Sequence, residues 1–222
     1  MPGCDADAPL VTEATSLSLH AYPDRTCPHK FLCAQNCLDA VQTPLRGYQE
    51  RAVRQALQAS TIVVLPTGSG KTLIAAAVAV AVVSRKPAAK VLVIVPSEPL
   101  MEQQARALRT ETGFAVAHFK GGMQNPSLQS YQALVALPQA LRNLSARNAR
   151  FAISNFALIV FDEVHHVIKK HPYRALARQM QALPACQRPR VLGLTASLTY
   201  ATGPGSIPWS IYMGISAAAA AA

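Results

Sequence analysis

Short runs of aliphatic and β-branched residues recur along this chain from residue 61 onward, and each is closed by turn chemistry. TIVVL (61–65) gives way to PTGSG, VLVIV (91–95) to PSEP, and AVAHF (115–119) to Gly121 and Gly122; ALIVF (157–161) stops at Asp162 and VLGLT (191–195) at Ala196 and Ser197. Helical stretches lie between them. YQERAVRQALQA (48–59) puts Ala52, Val53, Ala56 and Leu57 on one face, a second helix runs from Lys71 to about Ser84, and a third ends before Gly113. Strands that are apolar throughout, rather than alternating, are buried on both faces. Their alternation with helices predicts an α/β domain with a mostly parallel sheet and helices on both faces. Ligands of such sheets bind beyond the carboxyl ends of the strands, so the residues that close each run are the ones to weigh.

The pattern does not extend over the whole chain. Residues 1–43 have no clean periodicity and carry Pro2, Pro9, Pro23 and Pro28; they read as an irregular N-terminal arm. Residues 44–200 hold the strand and helix series. Residues 201–222 break it and finish in six alanines, a tail or truncated linker with no assigned role. The longest apolar stretch, residues 73–83, is too short to span a bilayer and is expected to be a buried helix. The N-terminus lacks the basic then apolar order of a signal peptide. No membrane role is expected.

With 222 residues, 50% of them hydrophobic and 14% charged, one well-cored domain is expected. The net charge of +10 is uneven: residues 1–111 hold 11 Lys/Arg against 9 Asp/Glu, and residues 112–222 hold 10 against 2. The two acids of the second half are the adjacent Asp162 and Glu163. A polyanionic partner, nucleic acid or a nucleotide phosphate, fits that half, with a generic basic surface as the alternative. Five cysteines in a chain of this size suit a reducing intracellular compartment, cytoplasmic or nuclear, better than a disulfide scaffold.

The strongest chemical signal is PTGSGKT (66–72), which follows one expected strand and opens one expected helix. Gly68 and Gly70 let backbone N–H groups turn inward around phosphate oxygens, and the helix N-terminus adds partial positive charge. Pro66, Thr67, Gly68, Ser69, Gly70, Lys71 and Thr72 form a nucleotide-phosphate loop in this reading. Lys71 neutralises the β- and γ-phosphates, and the Thr72 hydroxyl holds Mg²⁺. The first position of the usual loop pattern, normally glycine, is Leu65. A site for Mg²⁺ and ATP needs a further acid and a group that positions water. Asp162 closes another buried strand, where its carboxylate can approach Thr72 and the metal, and Glu163 is placed to polarise the attacking water.

In order, LRGYQ, LPTGSGKT, VPSEPLMEQQ, FKGG, ALPQAL, LIVFDEVHH and LGLTAS occupy residues 45–197. Together they resemble the superfamily 2 helicases and translocases, the DExD/H group of P-loop NTPases. The DEVHH run, the following KKHPYR (169–174) and GLTAS (193–197) look most like the Dicer and retinoic-acid-inducible RNA sensor branch. Val164 stands where that branch has cysteine, a position without a chemical role, and Leu137 stands where the group often has threonine. The resemblance implies the first RecA-like, ATP-binding domain of an ATP-dependent helicase acting on double-stranded RNA. It implies that Gln49 recognises adenine, that Asp162, Glu163 and His165 form the Walker B box, and that Thr195 and Ser197 couple hydrolysis to movement. Ser97, Gln103, Gly121, Gly122 and Gln139 match nucleic-acid contacts. Such proteins also use a second RecA-like domain, which supplies an arginine to the γ-phosphate. No second strand and helix series follows Ser197, so weak ATP binding and poor hydrolysis are expected of this chain alone.

Other features carry less. Cys27, His29, Cys33 and Cys37 are four potential Zn²⁺ ligands, but their spacing is not that of a paired knuckle, and free thiols in the arm are the expectation. His165 and His166 beside Asp162 and Glu163 could suggest a transition-metal cluster, although adjacent side chains diverge at a strand end. His171, with Lys169 and Lys170, reads as a basic turn. Two further functional readings stay open: a DNA translocase of the same superfamily, and a non-catalytic RNA-binding or regulatory fragment.

Overall fold

The computed structural model describes residues 41–122, 130–147, 151–164 and 172–196. In chain order these form α1 (Gly47–Gln58), β1 (Thr61–Val64), α2 (Lys71–Arg85), β2 (Val91–Ile94), α3 (Glu98–Thr112) and β3 (Val116–Phe119). They continue with β4 (Ala133–Ala136), α4 (Pro138–Arg147), β5 (Leu158–Phe161), α5 (Pro172–Gln181) and β6 (Arg190–Thr195). The strands make one sheet in the order β1-β6-β5-β2-β4-β3. Every neighbouring pair is parallel, so all six carboxyl ends emerge on the same edge.

The apolar runs are buried on both sides. Along β5, Leu158 and Val160 face one core while Ile159 and Phe161 face the other; β2 alternates likewise, with Val91 and Val93 opposite Leu92 and Ile94. The first core is closed by α1, α2 and α3 and the second by α4 and α5. Within α2, Ile74 through Ala81 are all buried. A helix apolar all round must have neighbours all round, and α2 has them: α1 and α3 flank it as it lies on the sheet. Small alanines let these three helices approach closely.

Two elements depart from the sequence expectation. ALVA (133–136) has one β-branched residue, Val135, and is too short and alanine-rich to announce a strand. It becomes β4 because it is inserted between β2 and β3, pairing Val91 with Ala133 and Ala133 with Val116, where small fully buried side chains fit. The basic turn read at residues 169–171 lies outside the described residues, and α5, a helix not among the sequence expectations, begins at Pro172. Proline at the first helical position fits there because its missing N–H would have no intrahelical partner. The arm read over residues 1–43 lies outside the described residues up to residue 40. Its last three residues are attached to α3: Val41 is buried, and Thr43 binds the Glu111 carboxylate through its N–H at 3.0 Å and its hydroxyl at 2.9 Å.

Candidate functional site

The loop after β1 begins inside the sheet. Leu65 still pairs with β6, its N–H donating to the Thr195 carbonyl at 3.0 Å. The chain then turns through Gly68 and Gly70, both in the left-handed region at φ 82° and 78°. A side chain at Gly70 would be strained by that backbone and would also strike Gln49, whose Nε2 lies 2.5 Å from where a Cβ would stand. At Gly68 a Cβ would meet nothing within 4 Å. The outer face of the loop is therefore open where phosphate oxygens have to approach.

Helix α1 braces this loop from behind. The Ser69 carbonyl accepts hydrogen bonds from the Tyr48 hydroxyl at 2.8 Å and from Gln49 Nε2 at 3.0 Å. Gln49 Oε1 accepts the Arg46 N–H at 2.8 Å, which caps α1. The amide keeps one lone pair and one N–H beyond these bonds, the pair of functions that the amino edge of adenine complements. Lys71 folds back on the loop, donating from Nζ to the carbonyls of Leu65 at 3.0 Å and Pro66 at 3.2 Å. A cation resting on neutral carbonyls has a stronger partner available in an anionic oxygen.

Beyond β6 in the sheet, β5 delivers Asp162 to the same edge. Asp162 is buried, and its Oδ2 accepts from Gln104 Nε2 at 3.0 Å. The same nitrogen lies 3.0 Å from Thr72 Oγ1. The Asp162 carboxyl is raised above its ordinary value, first by burial and then by the charge of Glu163; the Glu163 N–H, the Gln104 amide and the Lys71 ammonium oppose the shift. Glu163 follows at φ 51°, the left-handed region that side chains rarely occupy. Its N–H bonds back to Asp162 Oδ1 at 3.1 Å, and Val164 beyond it is fully buried.

Tyr173 of α5 fixes this turn from the other core. Its hydroxyl lies 2.8 Å from the Asp162 carbonyl and 3.1 Å from the Ile94 carbonyl, and its ring meets Phe161 edge-on at 5.3 Å. Burial, with Asp162 and Glu163 close by, pushes the phenol well above its ordinary range. A neutral donor is thus held under the acidic pair.

Thr72, Lys71, Asp162 and Glu163 all stand at the carboxyl edge, as does Thr195, fully buried at the end of β6. His165, His166, His171 and Ser197 lie outside the described residues, as do Cys27, His29, Cys33 and Cys37. Ser97 precedes α3, and Gly121 and Gly122 follow β3, at φ 93° and 69°. Gln139 sits in the first turn of α4, engaged with Asn143 at 3.1 Å and Arg142 at 3.2 Å. Gln103 is exposed on α3, next to the buried Gln104.

Gln104, Tyr48 and Tyr173 were not singled out by the sequence reading. A signal for the first was present: Met101, Gln104, Ala105 and Leu108 are the buried positions of α3, at the spacing of one helix face, so Gln104 is the polar residue in an apolar stripe.

A parallel sheet with a glycine loop after β1 and an Asp-Glu pair two strands away defines a RecA-like domain of the P-loop ATPase class. The chain belongs to the family described as Type III restriction enzyme, res subunit, whose model matches residues 42–199, and is a superfamily 2 helicase-family domain. It is 34% identical over 171 residues to Endoribonuclease Dicer homolog 1 of Arabidopsis thaliana, covering 71% of this chain and 9% of that protein. Endoribonuclease Dicer-S of Xenopus laevis is 33% identical over 175 residues, with 72% of this chain and 9% of that protein covered. In three dimensions the chain is similar to the Hef helicase domain of Pyrococcus furiosus, with TM-score 0.65 and 31% identity over 77% of this chain and 37% of that one. It therefore spans about a tenth of its curated relatives. Among the described residues no helix is long and apolar enough to cross a membrane.

Proposed function

We propose that residues 44–200 are the ATP-binding domain of an ATP-dependent helicase or translocase acting on double-stranded RNA. The observation that carries the nucleotide part is the meeting of Thr72 and Asp162, 90 positions apart, on one Gln104 nitrogen at 3.0 Å each. The chemistry supplied by ATP and Mg²⁺ is a transferable phosphoryl group with its charge partly neutralised. The residues present fit that pair: an open glycine turn, a displaceable lysine ammonium, and a hydroxyl and a carboxylate of the hard-oxygen type that Mg²⁺ prefers. Lys71 leaves the carbonyls of Leu65 and Pro66 for phosphate oxygens, and Gln49 reads adenine with its remaining lone pair and N–H. Thr72 and Asp162 hold the metal side. Glu163 orients and polarises the water, His165 completes the Walker B box with Asp162 and Glu163, and Thr195 and Ser197 couple the site to movement.

The RNA part rests on the Dicer likeness and on the basic second half of the chain. Ser97, Gln103, Gly121, Gly122 and Gln139 are the contacts proposed for the strand. The restriction-enzyme description of the family favours the second reading, a DNA translocase. Binding of a fluorescent ATP analogue and ATP turnover, each measured with matched RNA and DNA duplexes, test both. Lys71→Ala is expected to abolish analogue binding. Glu163→Gln is expected to retain it while lowering turnover about 100-fold or more. Stimulation by the DNA duplex and not the RNA duplex would replace the first reading by the second; equal analogue binding by Lys71→Ala would sink both.

A further inference from the structure

We infer that Gln104 is a positioning residue that holds the Thr72 hydroxyl and the Asp162 carboxylate together as a preformed Mg²⁺-facing pair. The inference rests on the nucleotide reading above. Gln104 projects from the buried face of α3 between Met101 and Ala105 and is 9% exposed. A polar side chain buried in an apolar stripe has lost its water and requires partners. Its amide nitrogen carries two N–H groups and has two acceptors at 3.0 Å, Thr72 Oγ1 and Asp162 Oδ2. Chemistry fixes which way the amide faces, since the opposite orientation would set its oxygen against a carboxylate.

The consequence is geometric. Thr72 begins α2 and Asp162 ends β5, and in this neighbourhood a single side chain bonds both. Asp162 Oδ1 is occupied by the Glu163 N–H at 3.1 Å, so Gln104 fixes the other oxygen and with it the rotation of the carboxylate. Thr72 Oγ1, accepting from the amide, keeps its second lone pair. Metal ligands oriented by hydrogen-bonded neighbours in this way typically lose 10- to 100-fold in metal affinity when the neighbour is removed.

Gln104→Met tests this, because it keeps the side chain's length and volume but removes the donor. A fluorescent non-hydrolysable ATP analogue is titrated against wild type, Gln104→Met and Lys71→Ala, once with Mg²⁺ and once with EDTA, alongside thermal melting. Wild type is expected to bind more tightly with Mg²⁺. Gln104→Met is expected to bind as wild type does in EDTA, to melt within a few degrees of it, and to lose about 10- to 100-fold of Mg²⁺-dependent affinity. A Mg²⁺ effect of wild-type size in Gln104→Met overturns the inference and leaves the nucleotide reading standing. Equally weak analogue binding by wild type and Lys71→Ala overturns that reading, and the inference with it. Should Gln104→Met fail to fold, Gln104→Ala, which leaves room for water, carries the same comparison.

Discussion

At the scale of single residues, burial decides which polar groups matter. Tyr131, just before β4, is 2% exposed, and its hydroxyl has no hydrogen-bond partner among the described residues. Burial pushes its phenol from 10.0 up to about 12. Between those values the unfolded chain releases a proton that the folded chain keeps. Stability is thus lost as pH rises from 10, and the loss is complete above about 12. Tyr131→Phe should remove this part of the alkaline slope, leaving the part that the raised Tyr173 phenol contributes, and, by deleting a hydroxyl with no partner among the described residues, be neutral or up to about 1 kcal/mol stabilising at neutral pH. Urea midpoints at neutral and alkaline pH check it: parallel losses in wild type and variant would show that the phenol is not responsible. Residue types and spacing made the glycine loop, Lys71, Thr72 and the acidic pair legible in the sequence. Gln103 and Gln104 differ only in helix phase: Gln104 falls in register with the apolar Met101, Ala105 and Leu108, and its own polarity masks that buried position in the sequence. Packing of α3 against α2, β3 and β4 buries one and exposes the other.

Elements were legible where their apolar content was continuous and obscure where neighbours supplied the stability. β1, β2, β5 and β6 announce themselves by β-branched runs, whereas β4 owes its place to being flanked by β2 and β3. The contact between β6 and the turn after β5 shows how tightly such elements constrain the site. A Cβ at Gly193 would lie 3.0 Å from Ile62 Cγ1 and 3.2 Å from both Val164 methyl carbons. Val164, a position without chemistry in the sequence reading, is thus seated on the glycine of its neighbouring strand, one residue beyond Glu163. Gly193→Ala should cost about 1–3 kcal/mol through overpacking, less the few tenths to about 1 kcal/mol gained by a stiffer unfolded chain. Val164→Ala makes room for the new methyl, so the double variant should be more stable than the sum of the two losses allows. A denaturant double-mutant cycle measures that coupling. Strict additivity would mean that Gly193 and Val164 do not press on each other.

At the scale of the whole molecule, the carboxyl edge divides into two halves. β1, β6 and β5 carry the phosphate loop, Thr195 and Asp162, while β2, β4 and β3 end in Ser97, Leu137 and the Gly121-Gly122 turn. The charge count of the sequence could not show how many cations are available to a polyanion. Arg190 donates to the Ala56 carbonyl at 3.0 Å, Arg188 to those of Leu183 and Gln181 at 2.8 Å each, and Arg109 to that of Val116 at 2.9 Å, so part of the positive charge serves the fold. Lys120, beside the glycine turn, is held by Glu98 at 3.2 Å with both side chains largely solvent-facing. Such an exposed pair is worth at most about 1 kcal/mol, less than a phosphate contact that releases counterions. On the proposed strand path, Glu98 competes with nucleic acid for Lys120 and should lose. Glu98→Gln is expected to tighten duplex binding a few-fold at low salt, and Lys120→Ala to weaken it while reducing the slope of log affinity against log salt by about 1. Fluorescence anisotropy with a labelled duplex across a salt series reads both changes. An unchanged slope in Lys120→Ala would place the strand elsewhere and remove the β2, β4 and β3 half of the edge from the proposed path.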